Sequence, residues 1–180
     1  VIELRKRAEY YRNNLAGLWD DKTGFYYNRS TRDLKFNYRT SPTCFYPLLA
    51  KVPTKNQAER MIKEHLLNTD EFWGVIPSVP KNDSAFKDNE YWRGRIWAPL
   101  NFLVYLGLNN YEFPEVRHAF AEKSQKLLLK SWLSHGYVFE NYNVLTGEGD
   151  DVVRSDKFYH WGALLGYIAL IENGVVSKCN

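Results

Sequence analysis

Glu90-Tyr91-Trp92-Arg93-Gly94-Arg95-Ile96-Trp97 runs without a break into Ala98-Pro99-Leu100-Asn101-Phe102-Leu103-Val104-Tyr105-Leu106-Gly107-Leu108. The second part is apolar nearly all round, which predicts a helix buried on most sides. The first part crowds flat rings, a guanidinium and a carboxylate into one short stretch. A ligand with apolar CH faces and many hydroxyls, such as a sugar, suits that chemistry. The same residues also suit a packed core with a structural Arg–Glu pair at a helix start, so both readings stand at this point.

Two other segments share the all-round apolar character, Thr43 to Ala50 and Phe158 to Ile171. Pro42 before the first of them fits an initial helical position, with Ser41 as its cap. Between these segments lie amphipathic patterns with a three–four spacing. Leu4, Ala8, Tyr11, Leu15 and Leu18 form one stripe. Ala58, Met61, Ile62, His65 and Leu66 form a second, preceded by Thr54 and Gln57 as a capping box. Val116, Ala119, Phe120, Leu127 and Leu128 form a third, with Pro114 at a first-turn position.

The chain therefore repeats one phrase three times: amphipathic helix, long aromatic loop, buried helix, short link. The loops are expected over 19–40, 70–90 and 133–156. In antiparallel helical layers every second connection lies at the same end, so the three loops should gather on one face. Their aromatic content argues against disorder, and Gly24-Phe25-Tyr26-Tyr27 has strand character. The expectation is an all-α protein built of helical hairpins, part of a helical toroid or solenoid, with short strands in the loops. Three hairpins make an arc with open ends, and a closed ring of six needs roughly twice this length. Residues 1–180 are thus expected to be a single domain that forms about half of a larger one. The start at Val1 reads as a processing or fragment boundary, so the lack of a leader leaves the compartment open.

Composition limits the function classes. The 180 residues are 44% hydrophobic and 25% charged, with a net charge of +3, which describes a globular protein. The basic residues are scattered among acids, so no nucleic-acid patch is expected. No apolar run is long enough to span a membrane. The anomaly is an aromatic fraction of 16%, with 13 Tyr and 6 Trp. Cys44 and Cys179 are too far apart in sequence for a metal motif or disulfide framework and read as idle thiols.

The third loop holds the leading catalytic candidate, Glu140 within Phe139-Glu140-Asn141-Tyr142-Asn143. Aromatic neighbours can raise a carboxyl pKa toward that of a working general base. A solvated loop glutamate is the plainer alternative. Glycoside hydrolysis needs two carboxyl groups facing one bond. Asp20, Asp21, Asp88, Glu90, Asp150, Asp151 and Asp156 are all available, and spacing does not select among them. For Asp156 and Asp88 a helix-capping role is the preferred reading. His65, His118, His135 and His160 show no metal-ligand spacing on a helix face. His65 reads as a core histidine, while His160 is placed near the loop face. There is no phosphate loop, serine elbow or nucleotide fingerprint, and no cofactor or metal is expected.

Several of these stretches match a known family. Tyr91-Trp92-Arg93-Gly94-Arg95-Ile96-Trp97, with Asn101-Phe102-Leu103 after it, resembles the YWRGPxW…NY motif of glycoside hydrolase family 63 and is similar to the related family 37 trehalases. Leu18 to Tyr27, Phe45-Tyr46-Pro47-Leu48, Phe72-Trp73-Gly74 with Ile76-Pro77, Glu140-Asn141-Tyr142 with Thr146-Gly147, and His160-Trp161-Gly162-Ala163 resemble further family elements in the same order. The resemblance covers nearly the whole chain.

The resemblance implies an inverting α-glycosidase on an (α/α)6 toroid, of which this is the C-terminal part. It makes Glu140 the general base. It places Trp73, Tyr91, Trp92, Arg93, Tyr142 and Trp161 around an oligosaccharide or disaccharide substrate. Arg95 departs from the family's usual Pro. The family's general acid, an aspartate in an earlier part of the toroid, has no counterpart here. The missing N-terminal half is therefore the expected partner, and the isolated polypeptide is expected to be inactive. The alternative is a carbohydrate-binding or structural helical domain without hydrolysis. A sugar epimerase would need a histidine acid–base pair, and His160 alone lies near the expected pocket.

Overall fold

The computed structural model describes residues 1–177, and Cys179 lies outside them. About half of the chain is helical, and the few strands are short. Helix α1 spans Ile2–Ala16, α2 spans Lys55–Arg60, α3 spans Ala98–Leu108, α4 spans Pro114–His135 and α5 spans Leu164–Glu172. The expected alternation is present over α2–α3 and α4–α5, while α1 is followed by a 3-10 stretch. No helix among the described residues is long and apolar enough to cross a membrane.

Local chemistry explains several helix ends. Thr54 Oγ1 accepts from the Gln57 amide while Gln57 Oε1 accepts from the Thr54 amide, so two otherwise orphaned donors are satisfied at the start of α2. Past Arg60 the helix widens into a π-type turn over Met61–Leu66. This places Met61, Ile62, His65 and Leu66 all in the core. Pro114 opens α4, and Gly136 closes it in a left-handed conformation.

Four expectations need correction. The apolar segment after Ser41 is a 3-10 stretch over Pro42–Leu48, not an α-helix. Pro47 lies inside it and lacks the amide that a regular ladder requires. Ser41 makes no side-chain cap, because its hydroxyl pairs with that of Thr43. The third loop starts at Gly136 instead of Leu133, since α4 continues to His135. Finally, α5 is not buried all round: Leu170 is exposed and lines an apolar groove with Leu128, Leu129, Tyr167 and Val175.

The first loop folds into two small antiparallel hairpins. Strands β1 (Trp19–Asp20) and β2 (Phe25–Tyr26) pair Trp19 with Tyr26 and Asp20 with Phe25. Strands β3 (Asn28–Arg29) and β4 (Phe36–Asn37) pair Asn28 with Asn37 and Arg29 with Phe36. His65 holds this loop on the core. Its ring stacks on Phe25 at 4.1 Å, Nε2 lies 2.9 Å from the Thr23 carbonyl and Nδ1 lies 2.8 Å from Glu71 Oε2.

The main core joins Phe25, Phe45, Leu48, Met61, Leu66, Phe72, Tyr105 and Phe120. A second cluster gathers Ile96, Ala98, Phe139, Tyr142 and Leu165 under the second and third loops. Helix α1 contributes no buried residue: Leu4 and Tyr11, both on its apolar stripe, face outward among the described residues.

Candidate active site

The second and third loops meet through backbone pairing. The Ile96 amide donates to the Tyr142 carbonyl at 2.8 Å, and the Tyr142 amide returns to the Ile96 carbonyl at 3.0 Å. This exchange fixes Trp97 and Glu140 on neighbouring strands of chain, although 43 positions separate them in sequence.

Ahead of this junction Glu90 and Arg93 exchange backbone hydrogen bonds at 3.0 and 2.7 Å, leaving Tyr91 and Trp92 at the tip of a tight turn. Asn89 and Tyr91 take left-handed conformations, φ 45° and 39°, which non-glycine residues adopt only under local constraint. Rings supply part of that constraint. Trp97 is fully buried and its indole N–H donates to the Tyr91 carbonyl at 2.9 Å. Trp92 stacks on Trp97 at 3.8 Å and 13°, and keeps 46% of its surface exposed. Tyr91 and Trp161 meet Trp97 edge-on at 4.8 and 6.0 Å. The indole N–H of Trp161 is buried without a hydrogen-bond partner among the described residues.

Glu140 stands beside this wall, only 7% exposed. Its amide donates to the Asp156 carbonyl at 2.9 Å, and the Tyr91 hydroxyl donates to its Oε1 at 3.5 Å. Burial raises the Glu140 pKa above the usual carboxylate value, and the Asp156 charge adds to the rise. Hydrogen bonds from the Asp156 backbone and Tyr91 oppose it without cancelling it. Tyr91 is raised in turn, by burial and by the facing carboxylate. The result is an enclosed carboxylate of raised pKa beside a half-open aromatic platform.

The structure brings Glu140, Tyr91, Trp92 and Trp161 together and places the other sequence candidates elsewhere. Arg93 turns to Asp88, with Nε 2.7 Å from Oδ2, at a half-exposed ion pair. Tyr142 is completely buried, and its hydroxyl accepts the Phe139 amide at 3.0 Å. Trp73 lines a different cavity of about 500 Å³ with Lys81, Lys126, Leu127 and Val144, and the Lys123 ammonium sits 4.3 Å over its ring. His160 is exposed and lines the groove beside α5.

Sequence reasoning did not anticipate Trp97 as the centre of the wall or Arg95 as a wholly enclosed cation. A charged residue flanked by Gly94 and the apolar Ile96-Trp97 pair was the available signal for Arg95. For a metal, ligand atoms of His135, Glu148 and Asp150 lie within 4.8 Å of one another. The Lys130 ammonium already sits 2.6 Å from Glu148 Oε1, which opposes a second cation there.

Comparison with known proteins identifies the family and the fold. A family profile described as the mannosylglycerate hydrolase MGH1-like glycoside hydrolase domain matches residues 1–161. The chain is 31% identical over 167 residues to a cytosolic neutral trehalase of Kluyveromyces lactis, covering 88% of this chain and 21% of that protein. It is 30% identical over 157 residues to a mannosylglycerate hydrolase of Thermus thermophilus, covering 84% and 34%. The crystal structure of a GH63 mannosylglycerate hydrolase from another strain of Thermus thermophilus, in complex with glucose, superposes with a TM-score of 0.72 at 25% identity, covering 87% of this chain and 38% of that one. The chain thus spans about a fifth to a third of the curated relatives it matches. With an aromatic wall facing a buried glutamate, and a family match over most of its length, the chain belongs to the mannosylglycerate hydrolase MGH1-like glycoside hydrolase domain family.

Proposed function

We propose that the chain carries the base-bearing side of an inverting α-glycosidase site, on about half of an (α/α)6 toroid that continues beyond residues 1–180. The observation that carries this reading is Glu140, an enclosed carboxylate with raised pKa, set against the Tyr91–Trp92–Trp97–Trp161 wall. Glu140 removes a proton from the attacking water. The acid that protonates the leaving oxygen comes from the rest of the polypeptide, about 6.5–9.5 Å across the bond as inversion requires. Trp92 offers its free face to the CH side of a sugar ring, and Trp161 closes the far end of the wall. Arg93 and Tyr142 support the site indirectly, Arg93 through the turn that carries Trp92 and Tyr142 through its backbone pairing with Ile96, while Trp73, in its own cavity, is proposed as a more distant sugar contact.

The names of the relatives make trehalose and mannosylglycerate the first substrates to assay. The test is to follow the anomer released by the longest natural polypeptide, using proton magnetic resonance. Inverted product is expected. Retained configuration would overturn the mechanism, and sugar binding without hydrolysis would favour a carbohydrate-binding domain instead.

Two further outcomes follow from the same geometry. Trp92→Ala is expected to raise KM about tenfold, from loss of an aromatic stack worth about 1.5 kcal/mol. The fold should hold, because the ring is half outside. Unchanged KM, read from initial rates, would remove Trp92 from the site.

The second outcome concerns pH. A base works only when ionised, and the Glu140 pKa is raised. The acid limb of kcat/KM should therefore fall at a higher pH than for a free glutamate. Tyr91→Phe removes a hydrogen bond that favours the ionised form, so it should move that limb higher still. A shift downward in the pH–rate profile would contradict the assignment.

A further inference from the structure

Asn141 directly follows Glu140, and Asn89 lies two residues before Tyr91. Both amides close on one side chain. Arg95 is wholly enclosed. Its Nε donates to Asn141 Oδ1, and its Nη1 donates to Asn89 Oδ1 at 3.2 Å. Its Nη2 donates to the Glu148 carbonyl at 3.3 Å and lies 2.8 Å from Asp151 Oδ1. The other Asp151 oxygen accepts from Asn143 Nδ2 at 2.6 Å and from Asn89 Nδ2 at 3.3 Å.

Asn141 is fixed from its far side as well. It donates through Nδ2 to the Arg154 carbonyl at 3.0 Å, and its own carbonyl accepts from Ser155 Oγ at 2.9 Å. One guanidinium thus spans the loop that carries the proposed base and the turn that carries its tyrosine partner. A buried cation is costly unless each donor finds an acceptor, and here the acceptors come from both sides of the site.

The span matters because the contact it frames is at the limit of hydrogen bonding. Tyr91 reaches Glu140 at 3.5 Å, so a small drift of either loop breaks it. The Asn89 and Tyr91 backbones sit in left-handed conformations that surrounding structure must hold. Burial pushes the Asp151 carboxyl up, yet hydrogen bonds from Arg95 and Asn143 outweigh burial and keep it below the usual range. The anchor therefore stays charged wherever Glu140 is ionised.

We propose that Arg95 is a positioning residue whose guanidinium, through Asn141 and Asn89 and with Asp151 as its counter-charge, sets the Glu140 carboxylate against the Tyr91 hydroxyl. This rests on Glu140 being the general base. Arg95 touches neither of the two reacting groups; it acts on the residues beside them.

The test uses the longest natural polypeptide and its hydrolytic assay. Arg95→Met combined with Asp151→Asn removes the pair without leaving a lone buried charge. Asn89→Gly is the gentler variant, since glycine accepts the left-handed backbone and only the amide link is lost. For the paired variant kcat should fall about 100-fold, and for Asn89→Gly about tenfold, because a loop displaced by an ångström or less loses catalytic orientation. KM should change less than kcat, and the acid limb should move up as the Tyr91 hydrogen bond is lost. Adding Tyr91→Phe should cost little more in either background, because the contact is already broken.

Wild-type kcat in these folded variants, or losses that multiply fully with Tyr91→Phe, would overturn the proposal. If the paired variant does not fold, Asn89→Gly decides the matter alone. The two levels fail differently. Wild-type hydrolysis by Glu140→Gln sinks the base assignment itself. An inactive Glu140→Gln beside fully active Arg95/Asp151 and Asn89 variants sinks only the positioning role.

Discussion

Glu140→Gln is expected to lower kcat about 10³-fold in the longest natural polypeptide, the scale of losing a positioned general base. The amide keeps the shape of the carboxylate, and its oxygen still accepts from Tyr91, so KM should stay close to its original value. Stability should not suffer at neutral pH. Burial raises the Glu140 pKa in the folded state. Its protonated form is therefore the one the fold favours. That contribution is present below the ordinary glutamate value and is lost as pH rises through the raised one. Glutamine mimics the protonated form, so the variant should gain relative to wild type between acid and neutral pH. Rates with thermal unfolding at pH 4 and pH 7 give the check. A retained kcat would remove Glu140 as the base, and a large loss of Tm at pH 7 would make it structural.

Gly94→Ala is expected to destabilise the protein by about 3–5 kcal/mol, combining a left-handed backbone penalty with overpacking. Gly94 has φ +98°, and a Cβ there would meet the Phe86 carbonyl oxygen well inside contact distance. That carbonyl belongs to the 3-10 turn Ser84–Asp88 and accepts the Asn89 amide at 3.2 Å. A methyl group must push this turn away. Asp83 and its bidentate partner Arg39 would move with it, as would Asn89 under the Tyr91 turn. Gly136→Ala is the control. It also has a positive φ, +73°, but nothing lies within 4 Å of the added carbon, so about 1 kcal/mol is expected. Denaturant midpoints distinguish the two. Equal losses would mean that close packing against Phe86 contributes nothing at Gly94.

The helices were legible because their signals are local. Periodicity at 58–66, the Thr54–Gln57 box and Pro114 in the first turn of α4 act within a turn or two of chain. The strand character of Phe25-Tyr26 could be read for the same reason, and it pairs a few residues back with β1. The ends that were misplaced are those where another effect intervenes. Pro47 denies Pro42–Leu48 a regular ladder, and α4 runs on past Leu133 until Gly136 supplies a left-handed cap.

The candidate site was legible in part. Residue chemistry singled out Glu140 and the Tyr91–Trp97 run, and family likeness gave them roles. Sequence proximity could not show that Arg93 turns aside to Asp88, that Tyr142 hides its hydroxyl against Phe139, or that Trp73 shares its cavity with Lys81 and Lys126. Each of these depends on a side-chain direction set by the loop backbone.

By itself, then, the sequence determined the alternation of helices with long loops, the aromatic character of those loops, the family and the candidate base. Those follow from residue type, spacing and motif order. Only the tertiary structure decided which rings form one wall, that Glu140 is enclosed, and that Arg95 unites the two loops behind it. The physical reason is range. Helix periodicity and capping act over three or four residues. The Ile96–Tyr142 pairing and the Arg95–Asp151 ion pair join positions 46 and 56 residues apart, and such pairings are chosen by packing the whole loop face at once.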